Sequence, residues 1–463
     1  VANKFIGKLD SVLGLLFRMS QFPCRIAFEV HNHKELRALI CFTLYPPDAG
    51  TRSKPTHSGI SFSIEVNLSS YTDMIIKTTL SLWQKLNHPS CSELLAEVVA
   101  FDDPRHPGAI ARLRKHWPSE LVAVAISLTL ARRKAAIKFD HPERLMADPV
   151  GVEQATSIEV GRYKARRFAG IGADHIMDLC CGIGGDAMAL AEVADMMLID
   201  ADPSRAWMAR YNVEAVGGRR PAVAVADVTT LRLPEMPFHI DPSRRTSQGG
   251  RMHKFEDSQP GGAFIQGLID QGRDGAVKLS PGVDLENLPA GEIEIIAQPS
   301  GLVQAVLWTG QLSRDERLRT ATRLPAGISY SGVPDQIMPC AEPGSYLLAV
   351  DPAVERAGLI GALCRHLNLP AIHPSLGLLT ADTLPDTPWL TPYVCLDAMP
   401  WHEKKVRAWL DAHDGGEVIV KTRDKTVNPD IISRRLRGKG ACTYILFVLR
   451  MDRKVRVWIT QKV

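Results

Sequence analysis

Between Ile176 and Thr309 short apolar runs alternate with helix-sized stretches, at Ile176 to Leu179, Met196 to Ile199, Ala222 to Val225, Phe238 to Ile240 and Ala276 to Leu279. Five such strands in succession predict a parallel α/β sheet. Two more runs, Glu292 to Ala297 and Leu302 to Trp308, are joined by Pro299-Ser300-Gly301, a hairpin-type link. The expected architecture is a doubly wound sheet that ends in an antiparallel hairpin.

The remaining chain is organised around this sheet. At 463 residues there is room for about three domains. Residues 1–73 carry no chemistry-bearing pattern, and Met74 opens a stretch that looks like an ordinary start, so 1–73 reads as an upstream extension. Residues 74–150 form a helical module, with Leu82, Leu86, Leu94, Val98, Leu121, Val124, Ala125 and Leu128 on repeating faces. One further helix, from Val152 to Phe168, leads into the sheet domain, assigned to 151–325. A helix near Ala353 to Leu367 and a Pro-rich stretch fill 326–395. A small α+β module occupies 396–463. The longest apolar stretch, Leu121 to Ala131, is far short of the roughly 20 residues of a membrane span. Nine scattered cysteines without a Cys-x-x-Cys pair fit a reducing compartment, the cytoplasm, and no metal site is expected.

The loop after the first strand narrows the chemistry. In Asp178-Leu179-Cys180-Cys181-Gly182-Ile183-Gly184-Gly185-Asp186 the glycines allow a tight turn and let Gly182 and Gly184 bring backbone against a ligand. An acid at Asp178 would repel a dinucleotide pyrophosphate but suits the cationic methionyl part of S-adenosylmethionine. Eighteen residues beyond Gly182, Asp200 ends the second strand, where a carboxylate can accept from both ribose hydroxyls; Asp202 is the alternative. Asp227, after the third strand, can accept from the adenine amine. Cys180 belongs to the same loop and is counted with its cofactor positions, although small-residue packing explains the Cys180-Cys181 pair as well.

These stretches resemble the motifs of class I S-adenosylmethionine-dependent methyltransferases, and the loop is similar to the form found in RNA-modifying members such as the cap-guanosine N2 methyltransferases. Arg133-Lys134-Ala135 with Lys138-Phe139, Glu153-Gln154-Ala155-Thr156, Asp241-Pro242-Ser243-Arg244-Arg245, Lys278-Leu279-Ser280-Pro281-Gly282 and the basic C-terminal module resemble bacterial methyltransferase-domain proteins that end in a THUMP-like domain. The resemblance implies a Rossmann-like class I methyltransferase sheet in 151–325, a ferredoxin-like linker module in 326–395, a THUMP-like domain in 396–463, S-adenosyl-L-methionine as cofactor, and methyl transfer to RNA.

Catalytic candidates follow the fourth strand. Asp241 and Pro242 lie at the C-terminal edge of the sheet, where α/β ligand sites form. Class I enzymes acting on exocyclic amines resemble this with D/N-P-P-Y/F/W; here Ser243 and Arg244 replace the last two positions, and Arg244 can stack on a base or hold a phosphate.

Charge is uneven. Residues 421–463 hold twelve Lys/Arg against three Asp/Glu in a chain of net charge +4. A solvated basic face or a polyanionic partner explains this, and RNA docking through 421–463 and Arg244/Arg245 is the expectation. A nicotinamide oxidoreductase leaves Asp178 and Asp241-Pro242 unexplained. A non-catalytic RNA-binding protein with a degenerate transferase domain is the other alternative, motivated by the missing aromatic.

Overall fold

The computed structural model describes residues 24–32, 35–44, 60–67, 79–243, 255–338, 342–372, 377–422, 426–451 and 453–463. The chain divides into two compact units, Val1–Glu97 with Ala111–Val124, and Val98–Ile110 with Ala125–Val463. The first unit contains an antiparallel sheet of β1 (Cys24–Asn32), β2 (Glu35–Leu44) and β3 (Ile60–Asn67). It also contains helical chain from residue 79 that buries Trp83, Leu86 and Leu94.

The second unit is built on a nine-stranded sheet. Its strands are β4 (His175–Leu179), β5 (Asp195–Asp200), β6 (Ala222–Val225), β7 (Phe238–Ile240), β8 (Gly275–Leu279), β9 (Glu292–Gln298), β10 (Gly301–Thr309), β11 (Arg319–Arg323) and β12 (Ile328–Gly332), in the order β12-β11-β9-β10-β8-β7-β4-β5-β6. From β6 to β8 all neighbours are parallel. Strand β10 runs antiparallel to both β8 and β9, so the expected hairpin is present and inserts its second strand next to β8. Chain order reverses between β4 and β7, the place where ligand sites form in sheets of this kind. This is the Rossmann-like arrangement expected from the alternating pattern.

Three departures have local causes. The helix expected from Val152 to Phe168 is two, Pro149–Gln154 and Ile158–Gly170. Asp148 caps the first by accepting from Val150 N (2.9 Å) and Gly151 N (2.8 Å), with Pro149 in the first helical position. Its end is closed by Lys138, whose Nζ donates to the carbonyls of Val152, Glu153 and Ala155, groups that a helix C-terminus leaves unpaired. The helix near Ala353 to Leu367 is likewise split, into Pro352–Arg356 and Ile360–Leu367, with Gly358 at φ 73° between them.

The third departure is the extent of the sheet, which continues past the expected hairpin through β11, parallel to β9, and β12. Two fully buried carboxylates on β9 account for this. Glu292 is met by Arg167, by Arg314 Nη2 at 2.5 Å and by Thr320 of β11 at 2.9 Å. Glu294 is met by Tyr163, by Trp308 Nε1 at 2.8 Å and by Thr322 of β11. Without β11 these carboxylates would lose hydroxyl donors, and an unpaired buried charge is costly.

A six-stranded sheet follows, ordered β14-β13-β15-β18-β17-β16. It comprises β13 (Tyr346–Val350), β14 (Leu378–Ala381), β15 (Leu390–Pro400), β16 (Gly415–Lys421), β17 (Cys442–Met451) and β18 (Lys454–Lys462), all pairs antiparallel except β16 with β17. The segment 326–395 thus gives β12 to the first sheet and β13, β14 and the start of β15 to the second. Helices Glu403–Ala412 and Pro429–Leu436 bury Val406, Leu410, Ile432 and Leu436 in one cluster with Val418, Val420 and Leu446 of this sheet.

Burial opposes ionisation of Glu292, but hydrogen bonds from Arg314 and Arg167 outweigh it and hold the carboxyl at about 2, against an ordinary 4.5. Its contribution to stability is therefore complete above pH 4.5 and is lost as pH falls towards 2. Urea unfolding between pH 7 and 3 should show this acid limb in the wild type and a smaller one in Glu292→Gln, which should also be less stable at pH 7.

Candidate functional site

The loop leaving β4 is wound by three residues in the left-handed region, Cys180 (φ 60°), Gly182 (φ 56°) and Gly184 (φ 83°). At Gly184 a side chain would meet the Ala209 backbone at 3.0 Å, so the glycine lets the loop lie against helix Pro203–Ala215. At Gly182 an added Cβ meets nothing within 4 Å, so that backbone borders open space. Asn212, fully buried, ties the loop down by donating to Ile183 O (2.8 Å) and pairing with Met146 N and O.

The acids named from the sequence have distinct surroundings. Asp200 Oδ2 accepts from Gly182 N at 2.8 Å and Oδ1 from Asp202 N at 2.9 Å, so this carboxylate braces the glycine turn. Burial raises its pKa above the ordinary carboxylate value. Asp202 caps helix Pro203–Ala215, accepting from Ser204 N at 2.8 Å. Asp227 is exposed and accepts from Thr229 N (2.9 Å) and Thr229 Oγ1 (2.7 Å), which cap a short turn and hold its pKa down. Cys180 is partly buried beside the loop, and burial raises its thiol pKa.

Asp178 is buried at 1% exposure and heads a chain of buried polar groups absent from the sequence-based assignment. Its Oδ1 lies 2.7 Å from His239 Nδ1, and His239 Nε2 lies 3.0 Å from Lys164 Nζ. Lys164 forms an ion pair with Asp186, whose Oδ2 accepts from Thr156 Oγ1 at 2.7 Å. An ammonium can only donate, so His239 accepts at Nε2 and donates from Nδ1 to Asp178. Among the described residues Asp178 Oδ2 is buried with no donor. Burial raises the Asp178 pKa, partly opposed by His239; burial lowers that of Lys164 against the pull of Asp186. Asp186 is also penalised by burial, but the Lys164 ammonium outweighs this and holds its pKa down.

Asp241 stands at the β4/β7 reversal, its backbone N–H donating to Leu179 O at 3.3 Å. Its Oδ2 pairs with Lys278 Nζ at 2.6 Å, and the same ammonium donates to Gln154 O at 3.1 Å. Pro242 is buried, and Ser243 exchanges two backbone hydrogen bonds with Gln259. Arg244 and Arg245 lie outside the described residues.

The residues of the C-terminal basic run differ in their surroundings. Gly438 and Gly440 donate their N–H groups to Gly416 O and Gly415 O, and side chains there would strike backbone at 2.1 and 2.0 Å; they permit close chain packing and do not cradle phosphate. Tyr444 and Trp458 are buried core residues, unavailable for base stacking. Lys421 is engaged with the Tyr393 hydroxyl at 2.6 Å. Arg434, Arg435, Arg437, Lys439, Arg453 and Lys454 are exposed.

A family model described as THUMP domain-like matches residues 390–462. Two proteins from Mycobacterium tuberculosis strains, each named an uncharacterised S-adenosylmethionine-dependent methyltransferase, are 32% identical over 340 residues, covering 70% of this chain and 92% of theirs. The chain belongs to the S-adenosylmethionine-dependent methyltransferases. A crystal structure of a methyltransferase candidate from Porphyromonas gingivalis W83 shares the fold at a TM-score of 0.65, 17% identity, 80% coverage of this chain and 98% of that one. Among the described residues no helix of the methyltransferase is long and apolar enough to cross a membrane.

The residues fit the cofactor of this family. A buried carboxylate oxygen without a donor suits a cationic group, and a left-handed glycine facing open space suits a ligand pressed against backbone.

At neutral pH the Asp178 charge opposes folding. Its folded pKa is raised, so its contribution to stability falls as pH rises from the unfolded carboxyl range through the raised value. Asp178→Asn retains an acceptor for His239 and removes the uncompensated charge. Thermal melting of the free protein at pH 7 should show a higher Tm, by the equivalent of about 1–3 kcal/mol.

Proposed function

We propose that this methyltransferase modifies a base nitrogen in RNA. The observation that carries the reading is the place of Asp241: it sits at the sheet's reversal point beside the glycine loop, with one carboxylate oxygen taken by Lys278 and its side chain 27% exposed. S-Adenosylmethionine, when bound, supplies a methyl group on a sulfonium that is already a good leaving group. What the chain must add is orientation and a suitable field at the acceptor. On this reading Asp178 accepts from the α-ammonium, Gly182 and Gly184 admit the ligand to the backbone, Asp200 or Asp202 holds the ribose, and Asp227 holds the adenine amine. Cys180 shapes the loop wall. Asp241 accepts a hydrogen bond from the acceptor amine and favours the positive charge that develops on it, while Pro242 fixes the turn and Arg244 stacks on the base or holds a phosphate.

RNA is supported as the substrate class by the THUMP-like match and by the exposed basic side chains at the end of helix Pro429–Leu436 and in the β17–β18 turn. Such contacts give affinity without sequence choice.

Tritiated methyl transfer from S-adenosylmethionine to total RNA of a strain lacking the gene, with mass spectrometry of the nucleosides, tests the function. Wild type should label one nucleoside; no label in RNA overturns the reading. Asp241→Ala should lose turnover by at least about a hundredfold, the range of a lost electrostatic stabiliser, while titration calorimetry shows cofactor affinity unchanged.

Reversing the charges of Arg434, Arg437 and Lys439 should weaken RNA binding across sequences and flatten its salt dependence, by roughly 0.7–0.9 in log–log slope per lost phosphate contact. Filter binding at several salt concentrations reads both. An unchanged slope would mean that this face is merely solvated.

A further inference from the structure

The buried chain running from Asp178 through His239 and Lys164 to Asp186 is larger than a strand-end carboxylate needs. Four ionisable side chains, from β4, β7, helix Ile158–Gly170 and helix Gly185–Leu190, are withdrawn from water, and each has 5% exposure or less. Replacing such a cluster with apolar residues often costs nothing or stabilises, so its presence calls for a use other than stability. The order of contacts suggests what that use is. Asp186 and Thr156 fix Lys164, Lys164 can only donate and so fixes the acceptor nitrogen of His239, and the ring is left with one N–H, directed to Asp178 Oδ1. The carboxylate is thereby locked in one rotamer with Oδ2 unspent.

We propose that His239, oriented by Lys164 and Asp186, is a positioning residue for cofactor binding, holding Asp178 so that its second oxygen is reserved for the α-ammonium of the methionyl group. The proposal rests on the assignment of Asp178 to that ammonium, and the test separates the two. Positioning of this kind acts on one part of the ligand only. On the same reading the adenosine end is held by Asp200 or Asp202 and by Asp227, none of which bonds to the buried chain. A charge-assisted hydrogen bond held in place is worth roughly ten- to a hundredfold in affinity.

Calorimetric titration of the full-length protein with S-adenosylhomocysteine and with 5′-methylthioadenosine distinguishes a positioning role from a structural one, because the second ligand has the nucleoside and thioether but no amino-acid group. Wild type should prefer S-adenosylhomocysteine; equal affinity for both would remove Asp178 from the ammonium and the proposal with it. His239→Leu should lose roughly ten- to a hundredfold for S-adenosylhomocysteine and little for 5′-methylthioadenosine. His239→Asn, whose amide can take the place of Nδ1–H, should recover most of that loss. In an Asp178→Asn background His239→Leu should change neither affinity further. Equal weakening of both ligands by His239→Asn, or full S-adenosylhomocysteine affinity in His239→Leu, overturns the proposal. Should His239→Leu fail to fold, Lys164→Met takes its place, with a smaller loss expected again for S-adenosylhomocysteine alone.

Discussion

The ion pair of Lys164 with Asp186 fastens together the elements on which the site depends. Lys164 comes from the helix preceding the sheet and Asp186 from the first turn of the helix that the glycine loop opens. Between them His239 of β7 reaches across to Asp178 of β4, so the two strands flanking the sheet's reversal are bridged by side chains as well as by backbone. Removing Lys164 would leave Asp186 buried without its cation, a loss of about 3–5 kcal/mol for such pairs. The sheet's reversal point is thus bound into the core by side chains that never see solvent.

Much of the sheet was legible because its parallel strands are written as short apolar runs, and β4 to β8, the exposed edge strand β6 included, appear within a residue or two of where those runs lie. The two extra strands were not. Arg319–Arg323 is polar, and its Thr320 and Thr322 hydroxyls satisfy Glu292 and Glu294, while Ile328–Gly332 sets Ser331 and Ser329 hydroxyls against those threonines. A strand that exists to solvate buried carboxylates carries no apolar signature. The β13–β15 segment illustrates a different limit: its Pro-rich surroundings suggest a linker, but β13 and β14 pair within it and β15 finds its other partner in β18, far along the chain.

The site divides similarly. Asp178, Gly182, Asp200 and Asp241 stand out because loop spacing and strand ends mark them. Lys164, His239 and Lys278 do not, since each looks like an ordinary surface charge or a lone polar residue. One signal was present. Val160, Gly161, Lys164, Ala165 and Phe168 recur at helical spacing and all are buried, so Lys164 occupies an apolar stripe where a lysine is out of place unless paired. His239, between two large apolar residues of a three-residue strand, is the same kind of anomaly.

The pair of backbone hydrogen bonds joining Ser243 to Gln259 has an evolutionary consequence. Chain that leaves the sheet rim at Ser243 returns to it at Gln259, with Phe255 of the returning part buried in the core. Lengthening a closed segment is cheap, about 0.6 kcal/mol for each doubling. The rim is therefore a fixed socket into which segments of different length and chemistry can be spliced without disturbing Asp241, one residue turn away. A change of length between Ser243 and Phe255 leaves Asp178, His239, Lys164 and Asp186 on their own elements, outside the altered segment.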